Sequence, residues 1–248
     1  GLVTSLTNGY RSVEHIDGYL EAMVTDKSKL NPTKSGPFNM LSVGDVDMSL
    51  LPGLIDLTLE KKAYIAPTRT LFERYFGYQP AYELRQQPEM FYLPGQLVTQ
   101  WFNTKTQLEG SGVLAEEKVK PYLEFRQKLF LELHNAGVPM IMSSDSPQVF
   151  NVPGFSIHRE IESMSNAGMS NYEILKTGSV NCAEYFEQEG EWGVLKPGAA
   201  AEFVMVQKNP LDDLTTMQKP QAIMIGEEFI QRDELQLQIN LIRQKYIR

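Results

Sequence analysis

His15, Thr68 and Asp145 each close a short apolar run: Ser-Val-Glu-His over residues 12–15, Ala-Tyr-Ile-Ala-Pro-Thr over 63–68, and Val-Pro-Met-Ile-Met-Ser-Ser-Asp over 138–145. Such runs read as short buried strands. After Asp145 come Ser146-Pro147 and then Pro153-Gly154, which forbid a regular helix for several residues. Each run therefore delivers one polar side chain to its C-terminal tip and hands over to a loop. In parallel βα architectures the functional side chains sit at those tips and converge on one mouth. A histidine and an aspartate meeting there suit a zinc-type site, because imidazole and carboxylate are both good ligands for that ion. A carboxylate in that position can also accept a proton from water. The same residues admit a plainer reading, a hydrogen-bonded structural histidine and an aspartate that forms a turn before Ser-Pro. Spacing leaves both readings open. Glu14, next to His15, alternates to the opposite strand face and is excluded from the site.

The elements that must position these tips are legible around them. Residues 1–12 read as the end of a helix and a turn, and the polar stretch 21–45 as a long excursion. Leu51, Leu54, Ile55 and Leu59 recur at helical spacing over residues 48–62, and aromatics cluster on a helical stretch over 71–76. A long helix is predicted over 116–135, with Val119, Tyr122, Leu123, Leu129, Phe130 and Leu133 on one side and Gly137 as its C-cap. Arg126 interrupts that stripe, although its stem can lie along apolar surface. Further helices are predicted over 156–166, ended by Gly168, over 172–177, capped by Asn171, and over 182–186. Strand, helix, strand, helix, strand, helix argues an α/β fold with a parallel sheet covered by helices. After Glu187 the texture changes to a small β unit: a strand and turn over 192–198, strands over 202–206 and 221–226, and an amphipathic helix over 233–247.

Composition narrows the function classes. A net charge of −8, with acids and bases mixed along 248 residues, argues against a nucleic-acid surface, which needs a basic face. No stretch has the apolar length required to span a membrane. Cys182 is the single cysteine, so neither an intrachain disulfide nor a cysteine metal cluster can form. The sequence starts Gly-Leu-Val-Thr, without Met or a leader pattern, so processing or an upstream extension is expected and the compartment is not readable.

A resemblance adds to this reading. "SVEHIDGYL" resembles the sixth-strand motif of the amidohydrolase superfamily, "AYIAPTRTLF" its seventh strand, and "AGVPMIMSSDSPQVFNVPGFSIHREIESMSNAGMSNYEILKTGSVNCAEYF" its eighth strand and following helices. "GVLKPGAAAEFVMVQKNPLDDLTTMQKPQAIMIGEEFI" is similar to the C-terminal part of its small β-sandwich. The nearest subgroup is imidazolonepropionase-like and prolidase-like. The resemblance implies the C-terminal part of a (β/α)8 TIM-like barrel from strand six onward over residues 1–189, and a β-sandwich portion with the terminal helix over 190–248. It implies metal-dependent hydrolysis of C–N bonds in amides, cyclic amides or dipeptides, with one or two divalent ions, zinc by type. His15 matches the sixth-strand metal ligand. Asp145 matches the eighth-strand aspartate, which binds metal and shuttles a proton from the attacking water to the leaving nitrogen. The sequence departs from the superfamily in lacking the first-strand His-x-His pair, the fourth-strand Lys or Glu and the fifth-strand His. A three-stranded piece of a closed barrel exposes two edges. An N-terminal segment or a second chain carrying His-x-His is therefore the expected partner, beside a small-molecule or dipeptide-like substrate and a homo-oligomeric copy.

Weaker candidates surround this pair. His158 begins the helix after the Asp145 loop and is a candidate substrate contact, against the plainer reading of a helix-surface residue. Tyr19 and Arg69 follow the first and second tips and are candidates for binding a substrate carboxylate. His134 reads as a solvent-facing residue favoured by its helix C-terminus. The cluster Tyr75, Phe76, Tyr78 and Tyr82 reads as packing rather than a pocket. Two other functions compete: a non-catalytic remnant or assembly module of the same fold, and a hydrolase with Ser143, Ser144 or Ser146 as nucleophile. The last lacks the nucleophile-elbow glycine pattern.

Overall fold

The computed structural model describes residues 1–31 and 33–246; Ile247, where the last predicted helix ends, lies outside the described residues. In chain order the elements are α1 (Leu2–Thr7), β1 (Ser12–Glu14), α2 (Tyr19–Met23), α3 (Leu51–Glu60), β2 (Tyr64–Ala66), α4 (Arg69–Tyr75), α5 (Ala81–Arg85), α6 (Gly95–Gly110), α7 (Glu116–Asn135), α8 (Phe155–Asn166), α9 (Asn171–Thr177), α10 (Val180–Tyr185), β3 (Phe203–Met205), β4 (Ala222–Ile225), β5 (Glu228–Gln231) and α11 (Arg232–Tyr246). Short 3-10 turns over Lys27–Lys29, Pro37–Asp45 and Met48–Leu50 give the predicted excursion some local order.

β1 and β2 run parallel, with Ser12, Val13 and Glu14 opposite Tyr64, Ile65 and Ala66. The third expected strand is much reduced. Ile65 N–H donates to the Pro139 carbonyl at 2.9 Å, Ile141 N–H donates to the Ile65 carbonyl at 2.9 Å, and pairing amounts to one parallel bridge between Ile65 and Met140. Pro139 has no N–H to extend the ladder. Met142 N–H leaves it altogether, donating to the Thr177 carbonyl at 2.9 Å. The segment still runs parallel to β2, so the three tips stay side by side.

α7 covers these strands as its spacing predicts. Val119, Tyr122, Leu129, Phe130 and Leu133 are buried with Ile65, Phe72, Phe76, Val138 and Met140 in the main core. Leu123 is only partly buried, and Phe125 takes its place on the inner face. Gly137 adopts φ 79° just beyond the helix end, the left-handed geometry that favours glycine there. At the next boundary the expectation is corrected by one residue. Ser170, not Asn171, caps α9, through a reciprocal capping box with Glu173. Asn171 instead reaches the Leu211 carbonyl at 2.9 Å.

α4, which follows the Thr68 tip, is held at both ends by buried ionisable side chains from other helices. Glu160 of α8, fully buried, accepts from the backbone N–H groups of Arg69 at 2.9 Å and Thr70 at 2.8 Å. Lys105 of α6, also buried, donates from Nζ to the carbonyls of Arg74 and Gly77, each at 2.8 Å, and of Tyr75 at 3.2 Å. An acceptor carboxyl at the N-terminus and a cation at the C-terminus both complement the helix dipole. Lys105→Met should destabilise the protein by about 2–4 kcal/mol, because it strands carbonyls that have no other donor among the described residues. A shift in the urea unfolding midpoint measures this, and an unchanged midpoint would show that water substitutes for the ammonium.

Residues 81–110, for which the sequence predicts no element, form α5, a turn over Pro88–Tyr92 and α6. They pack a second apolar cluster of Ala81, Leu84, Met90, Val98, Trp101, Phe150 and Val152. α6 buries only Val98, Trp101 and Lys105, too sparse a stripe for periodicity to reveal. Beyond α10, β3, β4 and β5 form an antiparallel sheet in that order. β5 is a strand that the sequence reading does not separate from its surroundings. The strand expected over 192–198 does not form. Gly193 and Gly198 take φ 73° and 89°, Pro197 lacks an N–H, and Leu195 is 80% exposed with nothing to pack against.

Candidate functional site

His15, Thr68 and Asp145 come together at the ends of the three parallel segments. Thr68 Oγ1 lies 2.5 Å from His15 Nδ1, and His15 Nε2 lies 3.7 Å from Asp145 Oδ2. The side chains of His15 and Asp145 are 22% and 36% exposed, so the pair is open on one side. Behind it the imidazole lies against Phe72, with ring centroids 5.9 Å apart. Thr68 is buried.

All three residues share a backbone feature that the sequence does not announce. His15, Thr68 and Asp145 have φ of 59°, 41° and 48°, in the left-handed region that non-glycine residues seldom occupy. Each such residue costs roughly 1–3 kcal/mol and persists only where its surroundings over-determine it. The surroundings do so for His15. Its N–H donates the last ladder bond, to the Ala66 carbonyl at 2.9 Å, and its carbonyl accepts from Arg126 Nη2 at 2.6 Å. The positive φ turns the chain sharply out of the strand, which sets the side chain over the sheet end rather than along its face.

The donor set fits a metal in part. Two donors on one tetrahedral zinc, with bonds of about 2.0–2.2 Å, stand roughly 3.3–3.6 Å apart. The His15–Asp145 separation is close to that spacing. Thr68 engages Nδ1, which leaves Nε2 as the nitrogen that faces the carboxylate. Among the described residues, no group of three His, Cys, Asp or Glu side chains is arranged to hold an ion. This chain thus presents two donors, where a catalytic zinc usually takes three from protein.

The other candidates lie elsewhere. Tyr19 is fully buried, and its hydroxyl lies 2.6 Å from Thr58 Oγ1; burial pushes the phenol up to about 12. Gly18, at φ 84°, turns the chain so that Tyr19 enters the core instead of the mouth. Arg69 also points inward. Its guanidinium lies 4.4 Å over the Phe130 ring and donates to Ser163 Oγ at 2.8 Å and Gln127 Oε1 at 2.6 Å. Neither side chain is available to a substrate carboxylate. His158 is half-buried, which lowers its pKa, and lines a groove of about 730 Å3 with Tyr92, Phe155, Arg159 and Lys219. That groove includes neither His15 nor Asp145. His134 is partly buried rather than solvent-facing, 3.6 Å from Glu173 Oε1. Phe76 packs in the main core, while Tyr78 and Tyr82 are exposed. Ser144 Oγ pairs with Ser156 Oγ at 2.9 Å, and among the described residues no histidine hydrogen-bonds to Ser143, Ser144 or Ser146.

Residues 105–227, which include the Asp145 tip, match the model of the amidohydrolase family. Over this stretch, close to half of the chain, the sequence fits the amidohydrolase family. Solved structures similar to it include a bottromycin amidohydrolase (15% identity, TM-score 0.67, covering 99% of this chain and 51% of that one). A Xaa-Pro dipeptidase with bound methionine in its active site is similar at 14% identity and TM-score 0.56, over 93% of this chain and 42% of that one. An ochratoxinase from A. niger is similar at 16% identity and TM-score 0.56, over 94% of this chain and 39% of that one. At such identities the likeness speaks to the mixed α/β fold alone. The chain spans about half the length of these structures or less. No curated protein matches it.

Proposed function

We propose that this chain supplies part of the active site of a hydrolase that cleaves C–N bonds in amides, cyclic amides or dipeptides. The observation that carries the reading is the approach of His15 Nε2 and Asp145 Oδ2 to 3.7 Å, on backbone held in the left-handed region at both tips. In this reading residues 1–189 are part of an amidohydrolase barrel, strands six to eight with their helices, and residues 190–248 are a portion of the β-sandwich with its terminal helix. His15 Nε2 and the Asp145 carboxylate would hold a divalent ion, zinc by donor chemistry, with one or two ions in the complete site. Bound there, such an ion supplies Lewis acidity toward the substrate carbonyl and makes water a stronger acid.

The chain's own residues do the rest. Thr68 holds the imidazole through Nδ1; with Nδ1–H donating to Thr68 Oγ1, Nε2 would turn its lone pair toward the site. Asp145 accepts one proton from the attacking water as the C–O bond forms. It returns that proton to the nitrogen as the C–N bond breaks, which leaves the carboxylate as it began. The remaining donors belong, in this reading, to a segment or second chain bearing His-x-His. The free edge of β1 supports this, since among the described residues only β2 pairs with it. The donor count favours the second reading, a non-catalytic remnant or assembly module. The two separate by metal analysis and by assay against a panel of dipeptides and cyclic amides. The chain alone should bind zinc weakly and hydrolyse nothing, and the protein completed by a His-x-His segment should do both. A completed protein that holds no metal and cleaves no member of the panel would leave the assembly-module reading.

A further inference from the structure

Arg126 raises a question that packing does not answer. It lies in the middle of α7 with only 8% of its surface exposed, yet among the described residues no carboxylate comes within 4 Å of its guanidinium. Buried charges are ordinarily paired, and an unpaired one is costly. The Asp17 carboxylate is near enough for the two charges to interact, but the direct contacts of the guanidinium are of another kind. The guanidinium carbon sits 3.4 Å over the Phe72 ring, Nη1 is 3.5 Å from the Tyr122 hydroxyl, and Nη2 donates to the His15 carbonyl at 2.6 Å. That carbonyl belongs to the residue directly after β1. His15 N–H still bonds to Ala66, but φ of 59° and 57° at His15 and Ile16 turn the next carbonyl out of the ladder.

We propose that Arg126 is a positioning residue for His15: its guanidinium clamps the His15 carbonyl and so holds the strained tip that aims the imidazole at Asp145. Two handles then fix one ring. Thr68 holds Nδ1 at 2.5 Å, and Arg126 holds the backbone at 2.6 Å. The guanidinium lies over Phe72 and reaches past it to the carbonyl, which a shorter amide or an apolar chain of similar volume cannot do. α7, a 20-residue helix seated in the core, is a rigid base for the clamp. Outer partners of a metal-binding histidine typically govern metal affinity by 10–100-fold. This part of the inference rests on the function proposed above. The orientation of the ring does not.

The test uses the chain completed by the His-x-His segment proposed above, labelled with 15N in histidine. Long-range 1H–15N spectra of the metal-free protein report the His15 tautomer and ring environment, and a zinc titration reports affinity. Arg126→Met and Arg126→Gln should both change the His15 ring signals and weaken zinc binding by about 10–100-fold. Leu133→Val, a trim of the same helix away from the clamp, should lower Tm but keep the His15 signals and the affinity. If Arg126→Met does not fold, Arg126→Gln decides. Wild-type ring signals in either folded Arg126 variant, or altered ring signals in Leu133→Val, overturn the proposal. A wild-type protein that binds no zinc overturns the proposed function instead, and the spectra still judge Arg126.

Discussion

Asp145→Asn should lower hydrolysis by the completed protein by roughly 10²–10⁴-fold, the usual worth of a general acid–base, while bound metal falls far less. The asparagine keeps one oxygen that can face an ion, and its size keeps the neighbouring loop in place. It cannot take a proton from water at neutral pH, so neither the attack nor the departure of the nitrogen is assisted. His15→Ala should behave in the opposite way. It removes an imidazole that has no part in the proton transfer, so excess zinc should recover part of the lost rate. Zinc content by mass spectrometry, measured beside initial rates on dipeptides and cyclic amides, separates the two effects. Near-normal turnover in a metal-loaded Asp145→Asn protein would remove Asp145 as the proton carrier.

Glu160→Ala should be among the costliest single changes away from the mouth, at roughly 2–5 kcal/mol. It leaves the N–H groups of Arg69 and Thr70 buried without an acceptor and opens a void at the start of α4. The same carboxyl should make stability depend on pH. Burial pushes it from its ordinary 4.5 up to about 7, against the pull of the Thr70 and Arg69 N–H groups and the Arg69 charge. Between those two values the folded chain holds a proton that the unfolded chain has released. Stability from this group is therefore fully present below pH 4.5 and is lost as pH rises toward about 7. Glu160→Gln cannot titrate, so the wild type should lose stability relative to it between pH 5 and pH 8 in urea unfolding. Parallel profiles would show that the two N–H donors already hold Glu160 ionised throughout. The helix at stake carries Thr68 at its entrance, so a frayed start would also release the imidazole that Thr68 holds.

The tips themselves were legible. His15, Thr68 and Asp145 each follow an apolar run and precede residues that cannot continue a strand, and parallel packing leaves such residues at one end of the sheet. The superfamily resemblance rested on those same segments, and residues 105–227 match the family. Tyr19 and Arg69 show the limit of that approach. Both sit next to a tip in sequence, but Gly18 at φ 84° rotates one into the core, and the pull of Phe130, Ser163 and Gln127 draws the other between helices. Proximity along the chain fixes where a backbone is; it does not fix which way a side chain turns.

By itself the sequence determined the α/β alternation, the bounds of α7, the apolar stripe of that helix and the three polar residues at the strand ends. These are local properties, set by periodicity of burial and by residues that forbid continuation. Only the tertiary structure decided that Thr68 would grip His15, that Glu160 and Lys105 would close the two ends of α4, and that Arg126 would sit beneath the site with its hydrogen on a strained carbonyl. Those contacts join residues 28 to 111 positions apart. No local pattern encodes them, because a buried polar group is stabilised by whichever complementary group the fold brings within hydrogen-bond reach.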